Sequence, residues 1–483
     1  MKQTSSITPP VKPTPVDRIG YRFQKFSHIE GISGILLVFA TAVALIWANS
    51  PLSASYFALL EIPISFNMGP ISIEEPLGLW INDALMAIFF FVVGLELKRE
   101  VAIGELSSFR KAILPGLAAV GGMIVPLGIF LALNWGDPMT MEGWAIPMAT
   151  DIAFALGVLA LVGKRAPLSL AVFLTALAIV DDIGAILVIA IAYTEAIDFR
   201  MLALGLGIVL LLLLYARLGG RSLLVYFLLG GITWFAIFES GIHATIAGVL
   251  VALTIPVRTR VNTRDFSDWM HKLLHWFDSE NVGDGECVLT SVQRTALFEM
   301  ERAIEHADSP LHRLEHLLHP WVAFVIMPIF ALANAGIIIH LDLIQALLSP
   351  LALGIILGLL VGKPVGILGA TWLGTTLGLG SLPRGVTKRH ILGAGVLAGM
   401  GFTMSIFIAI LAFSTDGHAG LLGLKLASPA LLAGGGEENA LISLAKLAIL
   451  VASTLAGILG YLLLRTGPET VVETSKVTPP PHE

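Results

Sequence analysis

The hydropathy pattern divides the chain into long apolar runs separated by short polar joints, with no period-2 alternation over most of its length. Runs of about 17–25 apolar residues are the length at which a helix crosses a bilayer. On that basis the chain holds spans near 31–49, 78–97, 112–134, 144–162, 168–193, 201–217, 222–239, 242–257, 320–339, 345–373, 390–413 and 440–464. The predicted fold class is therefore an all-α polytopic membrane protein of about 12 transmembrane helices. The expected organisation is a cytoplasmic N-terminal tail over 1–30, a transmembrane domain over 31–465 with a cytoplasmic loop at 258–319, and a cytoplasmic C-terminal tail over 466–483. The outer segment from Ser50 to Glu75 alternates around Ile62 to Gly69 and predicts a hairpin.

Charge distribution supports both the even count and the orientation. With both termini inside, 25 of the 29 lysines and arginines fall in cytoplasmic segments, and only Arg200, Lys425 and Lys446 lie outside or at outer helix ends. Composition agrees, since 56% of the 483 residues are hydrophobic and 13% charged, unlike a soluble domain. The N-terminal residues are polar and lack an apolar segment beside a cleavage site, so the first run is expected to stay as a span. A single cysteine, Cys287, precludes an intramolecular disulfide. The tails, rich in Pro, Thr and charge, read as disordered.

Against this apolar background, the charges inside spans carry the chemistry. Asp181 and Asp182 are adjacent in the fifth span, in Ala178-Ile179-Val180-Asp181-Asp182-Ile183-Gly184. An ionised Asp near a bilayer centre costs roughly 3 kcal/mol on insertion scales, so intramembrane acids mark ion or proton pathways. Neighbours on a helix point about 100° apart, so one carboxylate can meet a partner while the other faces an aqueous funnel. At roughly 6 Å and an effective dielectric of about 20, two charges there repel by about 3 kcal/mol. That repulsion favours discharging the pair with a proton or a cation, and a hard oxygen site suits Na⁺ or Li⁺ as well as H⁺.

Lys363, in Gly362-Lys363-Pro364-Val365-Gly366, is the remaining basic residue and falls in the middle of the tenth span. It requires a carboxylate, and Asp151, Asp181 and Asp182 are the candidates at that depth; the role is either a structural ion pair or proton transfer. Two spans look interrupted. The fourth carries Pro147 just before Thr150-Asp151, a pair suited to a helix N-terminus. The eleventh carries Gly393, Gly395, Gly399 and Gly401, which fits either close packing through small residues or a break. Spans 4 and 11 are seven apart and so run in opposite directions, as counterparts in inverted repeats do; interrupted segments at matching places point to a transporter's binding site. Asp151 would then balance exposed half-helix N-termini and Lys363 the matching C-termini.

These motifs, with Trp80-Ile81-Asn82-Asp83-Ala84-Leu85-Met86, Gly94-Leu95-Glu96-Leu97-Lys98-Arg99-Glu100, Ser240-Gly241-Ile242-His243-Ala244-Thr245 and Gly399-Met400-Gly401-Phe402-Thr403-Met404-Ser405, resemble the NhaA family of bacterial sodium/proton antiporters from about Gly31 to Gly460. The resemblance implies inverted repeats with crossing, interrupted spans 4 and 11. It places the ion and proton site at Asp181 and Asp182, with charge compensation and proton coupling at Asp151, Lys363 and Thr150, and pairs Lys363 with Asp181. It further implies electrogenic exchange of cytoplasmic Na⁺ or Li⁺ for external H⁺ in the bacterial inner membrane, activated at alkaline pH. A pH-responsive cluster maps onto Glu96, Arg99, Glu100, Glu315, His316 and His319, and a homodimer contact onto the predicted hairpin. No enzymatic activity, cofactor or nucleic-acid partner is implied.

The residues alone read Glu96, Arg99, Glu100 and the histidines as interfacial charges. The stretch from Trp269 to Glu305 is longer than the usual family pattern, and in the connection at 258–319 His271/His275 and His312/His316 read as solvated helix faces rather than metal ligands. His243, alone in an apolar span, reads as a packed, hydrogen-bonded histidine. An intramembrane aspartyl protease would place two acids on facing helices in a Gly-x-Gly-Asp setting, which is absent. A prenyl-transferring enzyme would need Asp-Asp-x-x-Asp, and Ile183, Gly184 and Ala185 supply no third acid. A sodium-coupled symporter is the nearest alternative.

Overall fold

A computed structural model describes residues 30–68, 71–193, 197–279, 289–383, 385–413 and 437–466. The terminal tails, Cys287 and Lys425 lie outside the described residues. Seven helices are long and apolar enough to cross a membrane: Leu77–Ala102, Phe109–Asn134, Leu168–Ala192, Phe199–Arg217, Pro310–Asn334, Pro350–Thr376 and Ala440–Arg465. Three bent pairs (Ser33–Ala48 with Ser53–Leu60, Pro138–Met148 with Ile152–Val162, Lys388–Ala398 with Phe402–Phe413) and two shorter apolar helices, Leu223–Phe238 and Thr245–Thr254, occupy the other expected positions. In chain order these are spans 1 to 12.

Spans 3 and 10 pack against each other most closely, because both carry small residues where they cross. A Cβ on Gly121 or on Gly366 would run into the other's carbonyl oxygen, and one on Gly362 would lie 2.8 Å from Pro126 Cα. Span 3 accommodates Pro115 and Pro126 without breaking, as membrane helices do when neighbours cover the freed carbonyls. Span 10 contains a π-helical turn at Gly358–Gly362, whose N–H bond from Lys363 reaches back to Gly358. Such a turn inserts one residue into the helix and rotates the residues after it, so it sets the direction of Lys363. Similar turns occur at Ile81–Leu85 in span 2 and Val322–Ile326 in span 9, again seven spans apart.

At the end of span 1 the chain turns by 115° into the short helix Ser53–Leu60. Tyr56 there is buried and donates its hydroxyl toward the carbonyls of Leu332 and Ala333, fastening this segment to span 9. The expected hairpin comes next in the chain: β1 (Pro63–Met68) pairs antiparallel with β2 (Ile71–Pro76) in the register Ile64 to Glu75 and Phe66 to Ile73.

The connection at 258–319, where His271/His275 and His312/His316 read as helix faces, is largely helical. Helices Thr263–Asp278 and Ser291–Ala307 form a hairpin, and Pro310 already begins the helix that becomes span 9. Phe266, Met270, Leu273 and Phe277 recur at helical spacing, and their side chains are the less exposed ones of the first helix. Each helix has its own start signal: Asn262 caps Asp265 at 2.8 Å, Thr290 and Gln293 form a capping box, and Ser309 caps His312 before Pro310. The polar composition hid these signals from a reading based on apolar runs.

Candidate ion-binding site

Spans 4 and 11 are both bent by 44° at their interruptions, and the two breaks meet. In span 4 the helix stops after Met148, Ala149 and Asp151 are extended, and the chain becomes helical again at Ile152. In span 11 it stops after Ala398 and resumes at Phe402. The broken segments supply each other's missing hydrogen bonds: the Asp151 N–H donates to Met400 O at 2.7 Å, the Ser405 hydroxyl to Ile146 O at 2.8 Å, and the Thr150 hydroxyl to Ala398 O at 2.8 Å. Unpaired backbone groups inside a membrane cost several kcal/mol each, so this mutual pairing is what makes two breaks tolerable. The glycines of span 11 serve close packing as well, Gly395 against Pro364 and Gly399 against Leu359.

Asp151 stands where two half-helix N-termini converge. One carboxylate oxygen accepts from the Phe154 N–H at 3.0 Å, and the other from the Thr403 N–H at 3.2 Å and from the Thr403 hydroxyl. One negative side chain thus neutralises two positive helix ends. Span 12 adds a third cap, since Ser453 accepts from the Phe402 N–H at 3.1 Å. Thr403 and Ser453 do not stand out in the sequence as site residues. Thr403 sits in the Gly399–Ser405 motif opposite Thr150-Asp151, whereas a lone hydroxyl such as Ser453 in an apolar span gives no signal.

Lys363 is completely buried. Its ammonium donates to Asp181 Oδ2 at 2.6 Å and to Thr150 Oγ1 at 2.9 Å. Thr150 passes that contact on to the Ala398 carbonyl, so the cation faces the C-terminal end of the first half of span 11. The structure therefore selects Asp181 among the three candidate carboxylates. The other Asp181 oxygen, Oδ1, is buried with no hydrogen-bond partner among the described residues. Asp182, one residue on, has no hydrogen bond or ion pair among the described residues and remains 3% accessible. An orphaned carboxylate oxygen beside an unpartnered carboxylate is a hard donor set of the kind a small monovalent cation or a proton would complete.

The second predicted cluster is also partly assembled. Arg99 pairs with Glu100 at 3.0 Å and with Glu315, whose Oε2 is buried without a partner. Glu96 lies one turn from Arg99 and within electrostatic reach of Asp182 as well as Glu315. His316 and His319 come after Glu315 on the same helix, and the His316 ring stacks on His312 at 6.3 Å. His243 is packed as expected, Nδ1 within 2.8 Å of Thr245 Oγ1 and Nε2 3.7 Å from Asp83.

Known proteins resemble this chain over nearly its whole length. The family model described as Na⁺/H⁺ antiporter 1 matches residues 24–464. The chain is 48% identical to the Na(+)/H(+) antiporter NhaA of Oleidesulfovibrio alaskensis, over 95% of this chain and 96% of that protein. The chain belongs to the NhaA family. Similar too are NhaA 1 of Saccharophagus degradans, 44% identical over 92% of this chain and 90% of that one, and NhaA of Salmonella arizonae, 43% identical over 92% and 97%. An NhaA-family chain with several apolar helices of spanning length is an integral membrane protein.

Proposed function

We propose that this protein exchanges Na⁺, or Li⁺, for H⁺ across the bacterial inner membrane, with both ions competing for Asp181 and Asp182. The observation that carries the reading is the contrast within that pair: Asp181 is held by Lys363, whereas Asp182 is buried with no hydrogen bond or ion pair among the described residues. A proton or a sodium ion discharges the pair, but two positive charges together are not needed, so loading one favours release of the other. Exchange is a transport step with no bond made or broken in a substrate, and it is electrogenic when more protons enter than sodium ions leave.

Alternating access follows from the interrupted spans. Their half-helices can tilt about the crossing while Asp151 and Lys363 keep the exposed helix ends compensated. The cluster of Glu96, Arg99, Glu100, Glu315, His316 and His319, whose Glu96 is within electrostatic reach of Asp182, tunes the response to cytoplasmic pH. Both termini are cytoplasmic, consistent with the distribution of Lys and Arg. The hairpin at 63–76 is the contact for a second copy.

The test is transport by proteoliposomes containing a lumenal pH dye. Adding Na⁺ outside, with no other solute, should alkalinise the lumen as protons leave, and Asp182→Asn should abolish the response while the purified protein keeps its elution profile. A symporter would leave lumenal pH unchanged, and wild-type exchange by Asp182→Asn would move the site elsewhere.

A further inference from the structure

The last turn of span 12 gathers three arginines from three separate segments. Arg165, in the connection between spans 4 and 5, donates to the Arg465 carbonyl at 2.6 Å. Arg389, at the start of span 11, donates from Nε to the Leu463 carbonyl at 3.2 Å and from Nη2 to the Thr466 hydroxyl at 2.5 Å. Arg465 itself bonds the Tyr461 hydroxyl at 2.6 Å and lies over that ring at 5.4 Å. Lys388, exposed, precedes Arg389 in the chain at the start of span 11.

Capping the carbonyls at a helix C-terminus accounts for part of this arrangement. It does not account for the charge. None of these four residues has an ion pair with a carboxylate among the described residues, although Arg99, Lys111, Arg302 and Arg313 all do. Three guanidiniums meeting one helix turn with no counter-charge among the described residues repel one another, and each keeps N–H groups beyond those already spent. The place is also specific: it is the end of an apolar span, at the level of the interface. Below Arg465 on the same face of span 12 run Leu455, Ile458 and Leu462, all exposed, at the i, i+3 and i+7 spacing of a helix face.

We propose that Arg165, Lys388, Arg389 and Arg465 bind the phosphate headgroup of an anionic phospholipid, with its acyl chain lying along Leu455, Ile458 and Leu462. The headgroup supplies the missing negative charge, guanidinium forks match phosphate oxygens, and a basic site between spans at the cytoplasmic interface is where such lipids are held. Since Arg165 comes after span 4 and Arg389 begins span 11, one lipid would tie the inner ends of both interrupted spans to span 12. The inner-face placement rests on the orientation proposed above; the lipid contact does not rest on the transport reading.

The experiment measures the thermal stability of the purified full-length protein in mild detergent, titrated with phosphatidylglycerol, phosphatidylcholine or inorganic phosphate. Phosphatidylglycerol alone should raise the melting temperature saturably. Lys388→Gln and Arg465→Gln, which leave the capping by Arg165 and Arg389 intact, should together weaken the apparent affinity about tenfold, and Arg302→Gln should not change it. An equal response to phosphatidylcholine, an equal response to inorganic phosphate, or an unchanged affinity in the double variant would each overturn the assignment. So would a preference for anionic lipid that emerges only after removal of residues 467–483, because the chain's own acidic tail would then be the occupant. Loss of lipid response with intact Na⁺/H⁺ exchange would separate this site from the ion site.

Discussion

Asp151 in span 4 and Thr403 in span 11 are joined by two hydrogen bonds, one from the Thr403 N–H and one from its hydroxyl, across 252 positions of sequence. The contact holds one helix N-terminus to another through a single carboxylate. Asp151→Ala should therefore remove a cap worth about 1–2 kcal/mol and leave buried Thr403 donors unmet at about 1–3 kcal/mol. Thr403→Val should cost about 1 kcal/mol. Thermal melting of the two single variants and the double variant checks this: the double should cost less than the sum, and strict additivity would deny the contact.

Lys363→Ala should damage stability as well as transport. It leaves Asp181 buried and uncompensated, a loss of about 3–5 kcal/mol when one partner of a buried pair is removed. Pairing it with Asp181→Asn should recover much of the melting temperature without recovering exchange. An unchanged melting temperature for Lys363→Ala would count against the ion pair.

Much of this arrangement was legible in the chain. Asp181, Asp182 and Lys363 stand out because ionisable side chains are costly in apolar runs, and Pro147 and Gly399 mark the breaks because they disfavour helix. What the residues alone could not rank, though the family resemblance did, was which carboxylate meets Lys363, since that depends on the π-helical turn at Gly358–Gly362 and on the approach of span 10 to span 3, neither of which has a local signature. The helices between 263 and 307 were legible only in part, through the i, i+4 spacing of His271 and His275; their extent was not, because polar residues dominate their composition and their apolar faces are narrow. The short helix Ser53–Leu60 comes just after Pro51 and owes its place to Tyr56 packing on span 9, a tertiary effect.

The crossing of spans 3 and 10 should be intolerant of volume. Gly366→Ala would force apart backbones that meet at Gly121, at a cost of about 1–3 kcal/mol for overpacking, and would displace Lys363 one turn away. Gly369→Ala, where a Cβ meets nothing within 4 Å, should be neutral. Melting temperature and exchange rate for the two variants provide the comparison, and equal behaviour would contradict the close approach.

Glu315→Gln removes the partner that Arg99 holds beside Glu96 and Glu100. If this cluster tunes the response to pH, the variant should alter how the maximal exchange rate varies with pH and leave the pH dependence of the sodium KM intact. A variant indistinguishable from wild type in both would make the cluster a structural feature of the interface.

The most direct test of a shared cation and proton site is the sodium KM in proteoliposomes held at equal pH on both sides, from about pH 6 to 9. Lowering pH fills Asp181 and Asp182 with protons, so sodium must displace them. KM should rise by up to tenfold per pH unit for each competing proton on the acidic side, and level off on the alkaline side once the site is empty of protons. A KM that stays flat across the range while the maximal rate changes would contradict competition at the pair and place proton control elsewhere.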